Sequence, residues 1–192
     1  MKKIINQIAL LGTSADPPTM GHEALLVGLL KLFPKVATWA SNNPKKSHHI
    51  SLQKREELLS ILVESINHPN LELIQDLSSP WTIDTIQKAS HKWPNSELIF
   101  VIGSDLIDQV PNWLDAKKFL NKTRLGIAPR EGWPMNKEDL KGIKSIGGRV
   151  DILPLQIPEA ASSEIRDNIT SKNIPDSILR LVQKESLYKL KN

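Results

Sequence analysis

Six short runs rich in β-branched and other apolar residues recur along the chain, at 4–11, 36–40, 71–75, 98–102, 124–128 and 150–153. Between them, residues 23–33, 52–66, 83–91 and 115–120 place apolar side chains three and four apart, the spacing of one buried helical stripe. Strands joined through helices run parallel, and a parallel sheet must be covered on both faces. The expected fold is therefore α/β: a doubly wound, Rossmann-like parallel sheet of five to six strands with helices on both faces. Residues 163–170, 175–183 and 185–190 have helical spacing with no further strand, which predicts a helical C-terminal tail.

Pro and Gly fall where this scheme needs turns, at Pro17-Pro18, Pro44, Pro80, Pro94, Gly132-Trp133-Pro134, Gly147-Gly148 and Pro158. No internal repeat, low-complexity tract or linker interrupts the pattern, so residues 1–192 read as a single domain. The polar stretch 130–148, with four glycines, is where mobility is expected. Sheets of this kind bind ligands beyond the carboxyl ends of their strands. Function is expected just after Leu11, Ala40, Gln75, Ile102 and Ala128.

Composition narrows the chemistry. Twenty-five Lys and Arg against 21 Asp and Glu leave a charge of +4, spread along the chain, which suits small anionic ligands better than nucleic acid or a membrane. The absence of cysteine excludes disulfides, thiolate metal sites and a cysteine nucleophile. No apolar run approaches the ~18–20 residues that span a bilayer. Met1-Lys2-Lys3 imitates the start of a secretory signal, but Asn6 and Gln7 interrupt the apolar stretch, and a cytoplasmic strand is the better reading.

The first strand is followed by Gly12-Thr13-Ser14-Ala15-Asp16-Pro17-Pro18-Thr19-Met20-Gly21-His22. Gly12 would let the backbone turn off the strand, and the two prolines forbid an early helix, so the next helix starts near Thr19 or Met20. Thr19 becomes the N-cap and His22 lies on the first turn, beside amides that lack intrahelical partners and can bind phosphate. A single histidine at a helix start is more often a cap or a packing residue. Its place after the first strand of an α/β sheet shifts that balance. Near the other end, Ala160-Ala161-Ser162-Ser163-Glu164-Ile165-Arg166 can cap a late helix on Ser162 or Ser163, with Arg166 one turn on facing the same anion.

Together these stretches resemble the signature of the nucleotidyltransferase superfamily, whose (His/Thr)-x-Gly-His motif stands here as Thr19-Met20-Gly21-His22. Three further segments resemble one branch, the nicotinate/nicotinamide mononucleotide adenylyltransferases. They are Trp81-Thr82-Ile83-Asp84-Thr85-Ile86, then Ile102-Gly103-Ser104-Asp105 with Trp113 eight residues on, then Ala128-Pro129-Arg130. Order and spacing agree from Ile8 to about Tyr188. Three departures stand out: Thr19 replaces the commoner histidine, Ala160-Ala161 replaces a leading Ile-Ser, and the loop 41–49 is shorter and reordered.

The resemblance implies attack by the 5′-phosphate of nicotinate mononucleotide on the α-phosphorus of ATP, giving deamido-NAD and pyrophosphate. Nicotinamide mononucleotide as the preferred substrate, or a nucleotide-binding homologue without turnover, are the alternatives. Two anions meeting in a cleft need positive charge and oriented donors, not a protein nucleophile. The resemblance assigns catalysis to His22, Thr19 and Arg166, the ATP phosphates to Gly12, Thr13, Ser14, Gly21, Ser162 and Ser163, and adenosine to Gly103 and Asp105. Lys45 or Lys46, Thr85, Trp113 and Arg130 are assigned to the mononucleotide. Thr85 would offer hydroxyl and amide, and Trp113 a flat face. Mg²⁺ is implied with ATP, bound mainly through its phosphates, with no protein metal site. Asp16 would reach it through water or cap the loop.

Trp39, Trp93 and Trp133 read as packing or loop residues, and Lys54 and Arg55 as solvated on a helix, although Arg55 sits where the family has an arginine. The expected partners are ATP and a pyridine mononucleotide, with no nucleic acid and no membrane; a homo-oligomer stays open. A nicotinamide-dependent oxidoreductase lacks its Gly-x-Gly-x-x-Gly here, and Gly142…Gly147 is followed by Gly148-Arg149 instead of the Lys-Ser/Thr of a P-loop. A phosphopantetheine transferase would lack the Trp-Thr-x-Asp-Thr segment.

Overall fold

The computed structural model of the chain describes residues 6–135, 138–155, 157 and 172–188. Strands and helices alternate: β1 (Asn6–Thr13), α1 (Met20–Leu32), β2 (Lys35–Ala40), α2 (Leu52–Ile66), β3 (Leu71–Leu73), α3 (Thr82–Lys92), β4 (Ser96–Gly103), α4 (Ala116–Lys122), β5 (Arg124–Ala128), α5 (Lys141–Ser145), β6 (Arg149–Ile152) and α6 (Asp176–Lys184). Two 3₁₀ segments, Gln75–Leu77 and Ser104–Asn112, follow β3 and β4. The strands form one parallel sheet in the order β3-β2-β1-β4-β5-β6. The chain winds outward from β1 to β3, then crosses back to lay β4 on the other side of β1. That reversal opens a crevice beyond the carboxyl ends of β1 and β4.

Alternation along each strand builds two cores. Ala9 and Leu11 pack with Leu26 and Leu29 of α1, Leu58, Leu59 and Leu62 of α2, and Ile178 and Val182 of α6. Ile8 and Leu10 point the other way, to Ile83 and Ile86 of α3, Phe119 and Leu120 of α4, and Ile143 of α5. Because both faces are covered, the central strands are apolar without a break. Helix limits follow local chemistry: Ser51 Oγ accepts from the Lys54 amide to start α2, and Asn67 ends it in the left-handed region at φ 47°.

Three expectations are corrected. Gly12 does not turn the chain: β1 runs on through Thr13, and the turn comes at Ala15, with φ 48°. The missing side chain of Gly12 instead makes room for the Trp39 indole across the β1–β2 pair, since a Cβ there would lie 2.8 Å from Trp39 Cε2. The stretch 130–148, read as the least structured, contains α5, which buries Ile143 and, at its start, Leu140. In the tail, α6 ends at Lys184 and Ser186 adopts φ 51°, so residues 185–188 are not the helix expected over 185–190. That left-handed residue turns the chain so that Tyr188 comes back to the loop after β1. The expected helix 163–170 lies outside the described residues.

Candidate active site

Thr19 caps α1 from a fully buried position, and His22 occupies the third helical residue. His22 Nδ1 accepts a hydrogen bond from the Thr19 amide at 3.0 Å and lies 2.8 Å from Thr19 Oγ1. An Nδ1 that accepts from an amide carries no proton, so the neutral ring bears its hydrogen on Nε2. Burial lowers the His22 pKa to about 4, reinforced by Arg130 and Lys46. Those two cations, from the loops after β5 and β2, therefore act on the same imidazole. Gly21 is buried in the first turn, while Thr13, at the end of β1, and Ser14, in the loop after it, lie half-buried.

Beyond β4, the Asp105 carboxylate folds back over Gly103 and occupies the space that a Cβ there would fill. Asp105 Oδ2 lies 3.4 Å from a terminal nitrogen of Arg130. Ser104 ties the two loops together: its hydroxyl accepts from the Arg130 amide at 3.1 Å and donates to the Trp133 carbonyl at 3.0 Å. Asp105 and Arg130, assigned to different halves of the ligand, are thus adjacent.

Thr85 departs from the expectation. It is buried in α3 and its hydroxyl donates to the Leu77 carbonyl at 2.9 Å, so the side chain is committed internally. Trp113 is half-buried and wedged edge-on against Phe100, with ring centroids 6.4 Å apart, and beside Phe119 at 6.1 Å. Lys45 and Lys46 are both exposed in the loop after β2, and Lys46 is the one that acts on His22. Ser162, Ser163 and Arg166 lie outside the described residues. Met20, Trp81 and Trp133, all on connections leaving the carboxyl edge of the sheet, are 40%, 41% and 56% exposed.

Of the two readings of Asp16, the structure shows the loop-holding one. It is buried, with Oδ2 accepting from the His49 amide at 2.7 Å and Oδ1 from the Tyr188 hydroxyl at 2.6 Å. Among the described residues, no group of three or more His, Cys, Asp or Glu side chains is placed to hold a metal ion. Arg55 is corrected: it is only 2% exposed and donates from one terminal nitrogen to the carbonyls of Ser14 and Ser41, both at 2.8 Å. The signal was present in the sequence, because Arg55, Leu58, Leu59 and Leu62 form one buried stripe of α2.

The profile of the cytidylyltransferase-like family matches residues 10–168. A probable nicotinate-nucleotide adenylyltransferase of Synechocystis sp. is 33% identical over 95% of this chain and 99% of its own length. The nicotinate-nucleotide adenylyltransferase of Bacillus subtilis is 26% identical over 96% of this chain and 99% of its own. Among solved structures, Plasmodium falciparum nicotinic acid mononucleotide adenylyltransferase complexed with NaAD aligns with a TM-score of 0.77 at 22% identity, covering 95% of this chain and 97% of that one. That last likeness concerns the fold. With the Thr19–His22 cap at the crevice and a close relative matched end to end, this chain belongs to the cytidylyltransferase-like family, in its nicotinate-nucleotide adenylyltransferase branch.

Proposed function

We propose that the chain joins ATP to nicotinate mononucleotide. An oxygen of the mononucleotide 5′-phosphate attacks the α-phosphorus of ATP, the bond from that phosphorus to the β-bridging oxygen breaks, and pyrophosphate leaves with the bonding electrons. The product is deamido-NAD, an intermediate of NAD biosynthesis. One observation carries the reading: a neutral histidine, its Nδ1 fixed by the Thr19 amide, sits on the first turn of the helix that follows the central strand, under the influence of Arg130 and Lys46.

In this reading His22 Nε2–H donates to the α-phosphate as charge develops, and the amides of the first turn hold its neighbours. Gly21, Gly12, Thr13 and Ser14 line the triphosphate, and Thr19, fully buried, serves catalysis by holding the His22 ring. Lys46 takes the mononucleotide phosphate, the function that was open between it and Lys45. Asp105 accepts from the adenosine ribose, and Arg130 leaves its contact with Asp105 partly to meet phosphate. Trp113 offers the edge left open by Phe100 and Phe119 to the pyridine ring, and Thr85 contributes through its backbone. Ser162, Ser163 and Arg166 hold the leaving pyrophosphate, on the strength of the resemblance.

Mg²⁺ bound to the ATP phosphates would neutralise part of their charge. The proposal treats residues 1–192 as one catalytic domain working in the cytoplasm. Among the described residues, no helix is long and apolar enough to cross a membrane. The test is pyrophosphate release from ATP and Mg²⁺ with each mononucleotide. Turnover of nicotinate mononucleotide is expected, and His22→Ala should lower kcat by about 10²–10³ with an unchanged circular dichroism spectrum. No release with either mononucleotide rejects the proposal.

A further inference from the structure

Arg55 is a charge taken out of water with no substrate role assigned to it. Its terminal nitrogen bridges the Ser14 carbonyl, in the loop after β1, and the Ser41 carbonyl, at the start of the loop after β2. Asp16 makes a second tie between the same loops, reaching from the first to the His49 amide of the other. The Asp16 charge favours the cationic form of Arg55, against the burial that opposes it. His22 stands on the first turn of α1, into which the first loop leads, and Lys46 in the middle of the second loop. A guanidinium is a planar fork of fixed geometry, so two carbonyls bound to one of its nitrogens are held at a set separation.

We infer that Arg55 is a positioning residue, which fixes the spacing between His22 and Lys46 and thereby the approach of the attacking phosphate to the α-phosphorus. This rests on the assignment of the mononucleotide phosphate to Lys46. Arg55 itself touches neither nucleotide. Without it, the loop after β2 drifts from the loop after β1, and the mononucleotide is bound loosely and out of line. Misplacement of reacting groups by about 1 Å can cost on the order of 10²-fold in rate.

The test uses the full chain with Arg55→Met and Arg55→Lys, each with its thermal midpoint recorded. Arg55→Met should raise KM for nicotinate mononucleotide and lower kcat, each by about tenfold or more, while KM for ATP stays within about twofold. Arg55→Lys, which keeps a donor for both carbonyls, should recover part of the loss. In the same variants the His22 ring, titrated by NMR, should move up slightly in Arg55→Met as Lys46 withdraws, with burial and Arg130, the larger causes of its lowered pKa, still in place. Kinetic constants unchanged per folded molecule, or KM values for both substrates raised alike, overturn the inference. If the wild-type protein turns over neither mononucleotide, the proposed function falls and the titration still decides: an unmoved His22 overturns the positioning role. If Arg55→Met fails to fold, the Lys variant is read by the same measures.

Discussion

A hydrogen bond from the Thr19 amide to His22 Nδ1 and a positive charge on that ring exclude each other, because protonation turns the acceptor into a donor. Folding therefore selects the neutral imidazole, and the depressed pKa of about 4 states the same preference as an equilibrium. The unfolded ring takes its proton near pH 6.5 and the folded ring near 4, so between those values the unfolded state binds more protons. The stabilising contribution is complete above pH 6.5 and is lost as pH falls toward 4, at about 1.4 kcal/mol per unit. In urea titrations across that window, His22→Gln should show a shallower decline than the wild type. Parallel declines would mean that the ring is protonated in the folded protein as easily as in solution. The residue scale is also where sequence reading met its limit. Thr19 and His22 could be placed by turn and cap chemistry, which is local. Gly12 and Arg55 could not, because an indole on the next strand and a carbonyl 41 residues away define their roles.

At the scale of elements, the two ends of the sheet do different work. The amino ends of four strands are laced in order: Gln7 of β1 donates to Glu97 of β4 at 2.8 Å, Arg124 of β5 donates to Glu97 at 3.0 Å, and Arg124 donates to Asp151 of β6 at 2.9 Å. The Gln7 hydrogen bond, ahead of Arg124, holds the Glu97 carboxyl below its ordinary range. Its contribution is therefore present above the unfolded carboxylate pKa and is lost as pH falls through the lower, folded one. Glu97→Gln should lower stability by about 1 kcal/mol at pH 7, less at pH 3, and leave kcat untouched at the far end of the sheet. A calorimetric scan at both pH values with a parallel assay checks all three. The strand-helix order was legible because each element carries its own period. Ser104–Asn112 and Lys141–Ser145 were not, since a Pro111-interrupted 3₁₀ segment and a five-residue helix are too short to show one. Helical spacing over 185–190 misleads at 185–188, where Tyr188 gains a buried carboxylate partner by turning back.

Across the whole molecule, the carboxyl edge of the sheet gathers the Thr19–His22 cap, the Asp105–Arg130 pair and the exposed faces of Trp81 and Trp133. Charge alone, at +4, gave no hint of this gathering; the parallel topology did, by sending every strand's exit to one side. Exposed indoles have a further consequence, for light rather than for binding. All five tryptophans contribute to the emission, but Trp39 is sealed in the core while Trp81 and Trp133 face solvent on the connections that leave β3 and β5. A ligand with two heterocycles that fills the crevice should dry one or both indoles. The emission maximum is then expected to shift to shorter wavelength on titration with deamido-NAD, and less with inorganic pyrophosphate, which carries no ring. A spectrum that ignores the dinucleotide would place Trp81 and Trp133 off its path. A shift on titration would let occupancy be read from the protein's own indoles, without a label.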